Sequence, residues 1–173
     1  MGSWGKSLDI LIAGNERFVN DECNACRSFE EQRRTLVEQG QEPVAIIVST
    51  ADAYMPPELI FDADLGDLYV LRLPEMEMDR GVMDAIEYAA LKLKIPLCMI
   101  LAHDAREGDP EPAEGFWERF RRGEDDEEFE IVKSCVKRLR NQSDFEELIE
   151  LGEFFVVGAK YDLESGRVTV FDF

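Results

Sequence analysis

The stretch "DRGVMDAIEYAALKLKIPLCMILAH" (residues 79–103) changes period once, around Ile95 and Pro96, and that change decides the fold. Between Asp79 and Lys94, the residues Val82, Ile86, Ala89 and Leu93 recur on one helical face, with an acid ahead of the first turn and lysines in the last. "PLCMILA" (96–102) is instead a short, nearly continuous apolar run, as a strand covered on both faces requires. A second run of this kind, "DLYVLRL" (67–73), precedes the helix. Strand, crossover helix and strand form the repeating unit of a parallel sheet.

Working outward, "PVAIIVS" (43–49) and "EFFVVGA" (153–159) are two more buried-strand runs. Residues 125–140 repeat the helical plan, with acids first, basic residues last, and Phe129, Val132, Val136 and Leu139 along one face. A further helix is expected to open on a capping box, Ser143 with Glu146, and to stop at Gly152. "YDLESGRVTVF" (161–171) reads as a turn into a last, antiparallel strand. Upstream, Leu8, Leu11, Ile12, Phe18 and Val19 predict a helix over 7–20, and a second helix runs from Ser28 to Gln39, ending at Gly40. Pro56 and Pro57 start a short helix whose Leu59, Ile60 and Phe61 seat in the core. The expectation is one α/β domain over 1–173, a helical arm (1–40) followed by a core (41–173) with a mostly parallel sheet and an antiparallel edge. Residues 104–124 form the one long irregular connection, whose Phe116, Trp117 and Phe120 read as a local packing patch.

The totals restrict partners. A chain of 173 residues, 45% of them hydrophobic, can bury one sizeable core. Its 38 acidic and 19 basic side chains give a net charge of −19, which repels nucleic acid and anionic membranes alike. No apolar run reaches membrane-spanning length, and "MGSWGKSLDILIAGNERF" has no signal-peptide pattern, so a cytoplasmic protein is expected. Of four cysteines, Cys98 and Cys135 fall in apolar patterns as small core residues. Cys23 and Cys26 form a lone C-x-x-C, open to three readings: reduced thiols, a redox pair, or half of an intersubunit metal site.

In an open parallel sheet, ligands bind beyond the carboxyl ends of the strands where the connections diverge. That rule selects Thr50 to Tyr54, Pro74 to Met76 and His103 to Glu107. The polar side chains available there are Thr50, Asp52, Tyr54, Glu75, His103, Asp104, Arg106 and Glu107, and His103 is the only histidine.

"GNERFV" (14–19), "ADAYMPPELIFD" (51–62), "GDLYVLR" (66–72), "AIEYAALKLKIPLCMILAH" (85–103) and "VGAKYDLESGRV" (157–168), in this order, resemble the β-class carbonic anhydrases. The resemblance implies a Rossmann-like, three-layer fold and a homodimer with a helical N-terminal arm packed on its partner, sometimes assembled further. It also implies CO2 hydration at a zinc ion held by Cys, His and Cys, from a C-x-D-x-R turn and an H-x-x-C-G turn. Here the first cysteine falls at Thr50, the aspartate at Asp52, the arginine at Tyr54, the histidine at His103, the second cysteine at Arg106 and the glycine at Glu107. The family's R-N-A-G-N is "RLPEM", in which only Arg72 matches.

A threonine hydroxyl is a weak neutral donor and a guanidinium has no lone pair to give, so neither replaces a thiolate on zinc. The expectation is therefore no zinc and no other cofactor, with Arg106 paired to Asp52 across the former metal position. Three functions are weighed on these residues. The first is a non-catalytic binding, regulatory or assembly protein, with Arg106, Thr50, Tyr54 and Glu75 receiving a small anion such as bicarbonate. The second is a zinc-independent carbonic anhydrase or related hydrolase using Asp52 or His103 as base. The third is an enzyme with a harder metal on Asp52, His103, Asp104 and Glu107.

Overall fold

The computed structural model describes residues 2–24, 29–103 and 127–171, without the side chains of 127–129. Its elements are α1 (Ser3–Val19), α2 (Phe29–Gln39), β1 (Ala45–Thr50), α3 (Pro57–Ile60), β2 (Leu68–Leu73), α4 (Arg80–Leu91), β3 (Leu97–His103), α5 (Glu127–Arg140), α6 (Ser143–Glu150), β4 (Phe155–Tyr161) and β5 (Val168–Phe171). The strands form one sheet in the order β2-β1-β3-β4-β5, with every pairing parallel except β4 with β5. The mostly parallel sheet and its antiparallel edge are as the sequence predicts.

Alternation along the buried strands separates two cores. Ile46, Val48, Cys98, Ile100 and Ala102 point to one face, where they meet Met83 and Ile86 of α4, Val132, Val136 and Leu139 of α5, and Phe145 of α6. Ala45, Ile47, Leu97, Met99 and Leu101 point to the other, against Leu11 of α1 and Ile60 of α3. Helices, sheet and helices make three layers. Each Val, Leu, Ile, Met or Phe among them, fully removed from water, contributes about 1.5–3 kcal/mol before chain entropy is counted.

The ends of the elements follow local chemistry. Asp79 caps α4, its carboxylate accepting from the Val82 N–H at 2.8 Å. Gly40 and Gly152 stop α2 and α6 in the left-handed region, at φ 84° and 69°. The β4–β5 turn is tied by the Ser165 backbone N–H donating to Asp162 at 2.7 Å and closes at Gly166, φ 72°.

Four local expectations are corrected. α1 begins at Ser3 rather than near residue 7, because Trp4 stacks on Phe155 with ring centroids 4.5 Å apart. Ile12 faces solvent, and the inward side of α1 is Leu8, Leu11, Gly14, Asn15 and Phe18. Leu59 is exposed, while its neighbours Ile60 and Phe61 are buried. Ser143 is the first residue of α6 and not its cap; Phe145, fully buried against Phe154, sets the start of that helix one residue early for a capping box.

Cys98 and Cys135 are core residues, as expected. Burial drives the Cys98 thiol far above its ordinary value and pushes Cys135 up to about 11. Cys23 is exposed. Cys26, the connection 104–124 with Phe116, Trp117 and Phe120, and the side chain of Phe129 lie outside the described residues. No described helix is long and apolar enough to cross a membrane.

Candidate functional site at the carboxyl ends of the central strands

After β1 the chain turns to α3 on one face of the sheet, and after β2 it crosses by α4 on the other. The carboxyl ends of β1 and β3 therefore flank the point where the connections diverge, which is where a crevice forms in such sheets. Thr50 is the last residue of β1 and His103 the last of β3. The turn after Thr50 is held at both sides: Ala51 N–H donates to Leu73 O at 2.7 Å, and Met55 N–H to Asp52 O at 3.0 Å.

This turn brings the predicted residues together. Asp52 Oδ2 lies 3.2 Å from His103 Nε2. The Tyr54 ring meets the imidazole edge-on, with centroids 5.2 Å apart and planes at 86°. His103 is the buried member of the pair, its side chain 11% exposed against 40% for Asp52. Glu75, two residues past β2, is half-buried. Arg106, Asp104 and Glu107 lie outside the described residues, and so does the expected Arg106–Asp52 pair.

Sequence reasoning missed the part played by Arg72. Its guanidinium donates to the backbone carbonyl of Asp52 at 2.5 Å and to that of Met55 at 3.4 Å, so a strand residue fixes the turn that carries Asp52. The available signal was a lone cation in an otherwise apolar strand, "LYVLRL".

Charge at the site centres on Asp52. Burial disfavours its ionised form, but the nearby Thr50 hydroxyl, the hydrogen bond from His103 and the charge of His103 together outweigh this, and the carboxyl is held below its ordinary 3.8. Thr50 Oγ1 is itself buried and, among the described residues, has no hydrogen-bond partner within bonding geometry.

A depressed carboxyl adds stability above its unfolded value and loses it as pH falls through the folded one. Comparing wild type with Asp52→Asn by urea unfolding, we expect a constant stability difference from neutral pH down to about 4, shrinking below that. A difference independent of pH would mean that the Asp52 charge contributes nothing to the fold.

The donors that the described residues offer at the switch point are the imidazole of His103, the carboxylates of Asp52 and Glu75, and the hydroxyls of Thr50 and Tyr54, with no thiolate among them. A zinc ion held by two thiolates and an imidazole demands softer and more negative donors. The imidazole Nε2, moreover, is directed at Asp52. Among the described residues no group of three His, Cys, Asp or Glu side chains is placed to hold a metal ion.

The three-layer α/β architecture with its site at the switch point is that of the β-carbonic anhydrases. The carbonic anhydrase family profile matches residues 45–108. Carbonic anhydrase 2 of Mycobacterium tuberculosis is 28% identical over 187 positions, covering 94% of this chain and 90% of that protein. Among solved structures, the β-carbonic anhydrase CafA of Aspergillus fumigatus superposes with a TM-score of 0.66 at 18% identity, over 95% of this chain and 90% of its own. The tetrameric β-carbonic anhydrases of Sordaria macrospora give 0.63 at 19% identity, over 97% and 98%. In fold, and in sequence over nearly its whole length, the chain is similar to the β-class carbonic anhydrases.

Proposed function

We propose that this chain keeps the β-carbonic anhydrase scaffold without its zinc chemistry and serves as a non-catalytic binding, regulatory or assembly protein. The observation that carries the reading is the contact between His103 and Asp52: the one histidine that could hold a metal has its Nε2 directed at a carboxylate 3.2 Å away, beside Thr50 where the family places a thiolate. Without a metal, no group here lowers the pKa of bound water to about 7.

Arg106 is the group on which a small anion such as bicarbonate would dock, since Arg72 is already engaged by two backbone carbonyls. The protein acts in the cytoplasm as a homodimer. Supporting self-association, α2 buries none of its residues and presents Phe29 and Val37 to solvent, and the similar Sordaria macrospora proteins are tetramers.

One observation favours a second reading, zinc-independent hydration. Asp52 is held ionised, remains partly exposed and touches an imidazole, as a general-base pair would. A positioned base contributes about 10²–10⁴-fold, so such activity would be slow.

Metal analysis of the purified protein, with stopped-flow CO2 hydration in the presence and absence of chelator, tests both. We expect far less than one zinc per chain and no hydration above buffer. Stoichiometric zinc with chelator-sensitive turnover would overturn the proposal, and chelator-resistant turnover would replace it with the base mechanism.

A further inference from the structure

A second cleft lies at the opposite end of the strands from Thr50 and His103. It has a volume of about 260 Å³ and is walled by Ile10 of α1, Val44 just before β1 and Leu68 at the start of β2, with Arg17 and Asp67 among its polar lining. Its floor includes Leu11 and Phe61, both buried.

Arg17 is placed there by a buried anion. Its Nε donates to Asp62 Oδ2, and the Asp62 side chain is fully buried, at 0% exposure. The other Asp62 oxygen accepts from the Asn24 backbone N–H at 2.8 Å. A buried carboxylate needs such partners, and in return it fixes the plane of the guanidinium. With Nε engaged, the two terminal nitrogens of Arg17 have no hydrogen-bond partner among the described residues, and the side chain is 35% exposed. Those nitrogens form the end-on fork that binds a carboxylate through two hydrogen bonds.

Asp67 supplies the opposite charge. Its Oδ2 accepts from the Asp64 backbone N–H at 2.9 Å, and its Oδ1 has no partner among the described residues. A simple anion at Arg17 would share the cleft with the carboxylates of Asp64 and Asp67, which also line it, and a simple cation would leave the terminal nitrogens of Arg17 unused. A molecule carrying both charges complements both, and the apolar walls accept its uncharged part. The volume lies just below the usual range for drug-sized ligands, so the occupant is small.

We propose that this cleft receives a small zwitterion with an apolar side chain, that is, an apolar α-amino acid. Its carboxylate sits on the Arg17 terminal nitrogens, its ammonium on Asp67 and its side chain against Ile10, Val44 and Leu68. The site is independent of any chemistry at Asp52 and His103.

The test is an amide NMR titration of the full chain with leucine, isovalerate and isoamylamine at neutral pH. Leucine should shift the Asn24, Ala63 and Leu68 amides saturably, and the two singly charged analogues should bind at least about tenfold more weakly, the equivalent of 1.4 kcal/mol. Asp67→Asn retains an oxygen for the Asp64 N–H and should weaken leucine about tenfold while leaving isovalerate unchanged. Arg17→Lys retains a cation beside Asp62 but removes the fork, and should abolish leucine binding with the spectrum otherwise dispersed. Absence of saturation by about 10 mM leucine, or isovalerate binding as tightly as leucine, would overturn the assignment.

Discussion

Replacing Gly14 with alanine should cost the protein about 3 kcal/mol, although alanine is the better helix former by about 1 kcal/mol. Gly14 lies in α1 where that helix crosses the end of α3, and a Cβ built on it falls 1.8 Å from the carbonyl oxygen of Phe61 and 2.7 Å from its carbon. Both atoms are backbone, so no side chain can swing aside. The two helices would have to separate, and with them Asn15 and Arg17, whose partners are the Ile60 carbonyl and Asp62. For a chain of this length the loss corresponds to a fall in melting temperature of roughly 10 °C. Gly81→Ala is the control. It lies exposed in α4, its added Cβ meets nothing closer than Asp79 Oδ1 at 3.4 Å, and it should be neutral or slightly stabilising. Equal melting temperatures for Gly14→Ala and Gly81→Ala would show that the close approach does not constrain the fold.

The same region marks how far the sequence could be read. Continuous apolar runs identified β1 to β4, and the rule for parallel sheets then located Thr50, Asp52, Tyr54 and His103, which do converge. Periodicity is a local signal, and those features are local or follow from topology. "GNERF" carries long-range information that no period holds: Gly14 admits a carbonyl 47 residues away in the chain, Asn15 reaches Gly166 and Val168, and Arg17 meets Asp62. A helical reading of residues 7–20 therefore placed Ile12 in the apolar face, although the surface facing the core is built around a glycine and an asparagine. Arg72 escaped for a related reason, since a side chain that donates to backbone carbonyls leaves no complementary residue type in the sequence. Ser143 fitted a capping pattern, but burial of Phe145 fixed the first turn of α6 elsewhere.

Asn15→Ala should lower stability by about as much as Gly14→Ala, for a different reason. Asn15 is only 4% exposed, and its amide nitrogen donates to Ile60 O at 3.2 Å and to Gly166 O at 2.9 Å, while its oxygen accepts from Val168 N–H at 2.8 Å. One side chain thus joins α1 to the end of α3 and to the start of β5. Alanine removes one buried and two part-buried hydrogen bonds, at about 1 kcal/mol each, or roughly 3 kcal/mol together. Asn15→Asp separates these hydrogen bonds from simple loss of volume, because it keeps the shape and the acceptor and replaces the donor by an anion facing two carbonyl oxygens. The folded state then favours the neutral carboxyl and raises its pKa above the unfolded value of about 3.9. An acid raised in this way is least destabilising below the unfolded value and becomes more so as pH rises through the folded one. Urea midpoints for Asn15→Asp should accordingly fall further behind wild type at pH 7 than at about pH 4, whereas those for Asn15→Ala should trail by a constant amount. If the aspartate variant trails no further at neutral pH, the two carbonyls are not relying on the Asn15 amide, and α1 is held to α3 and β5 by packing alone.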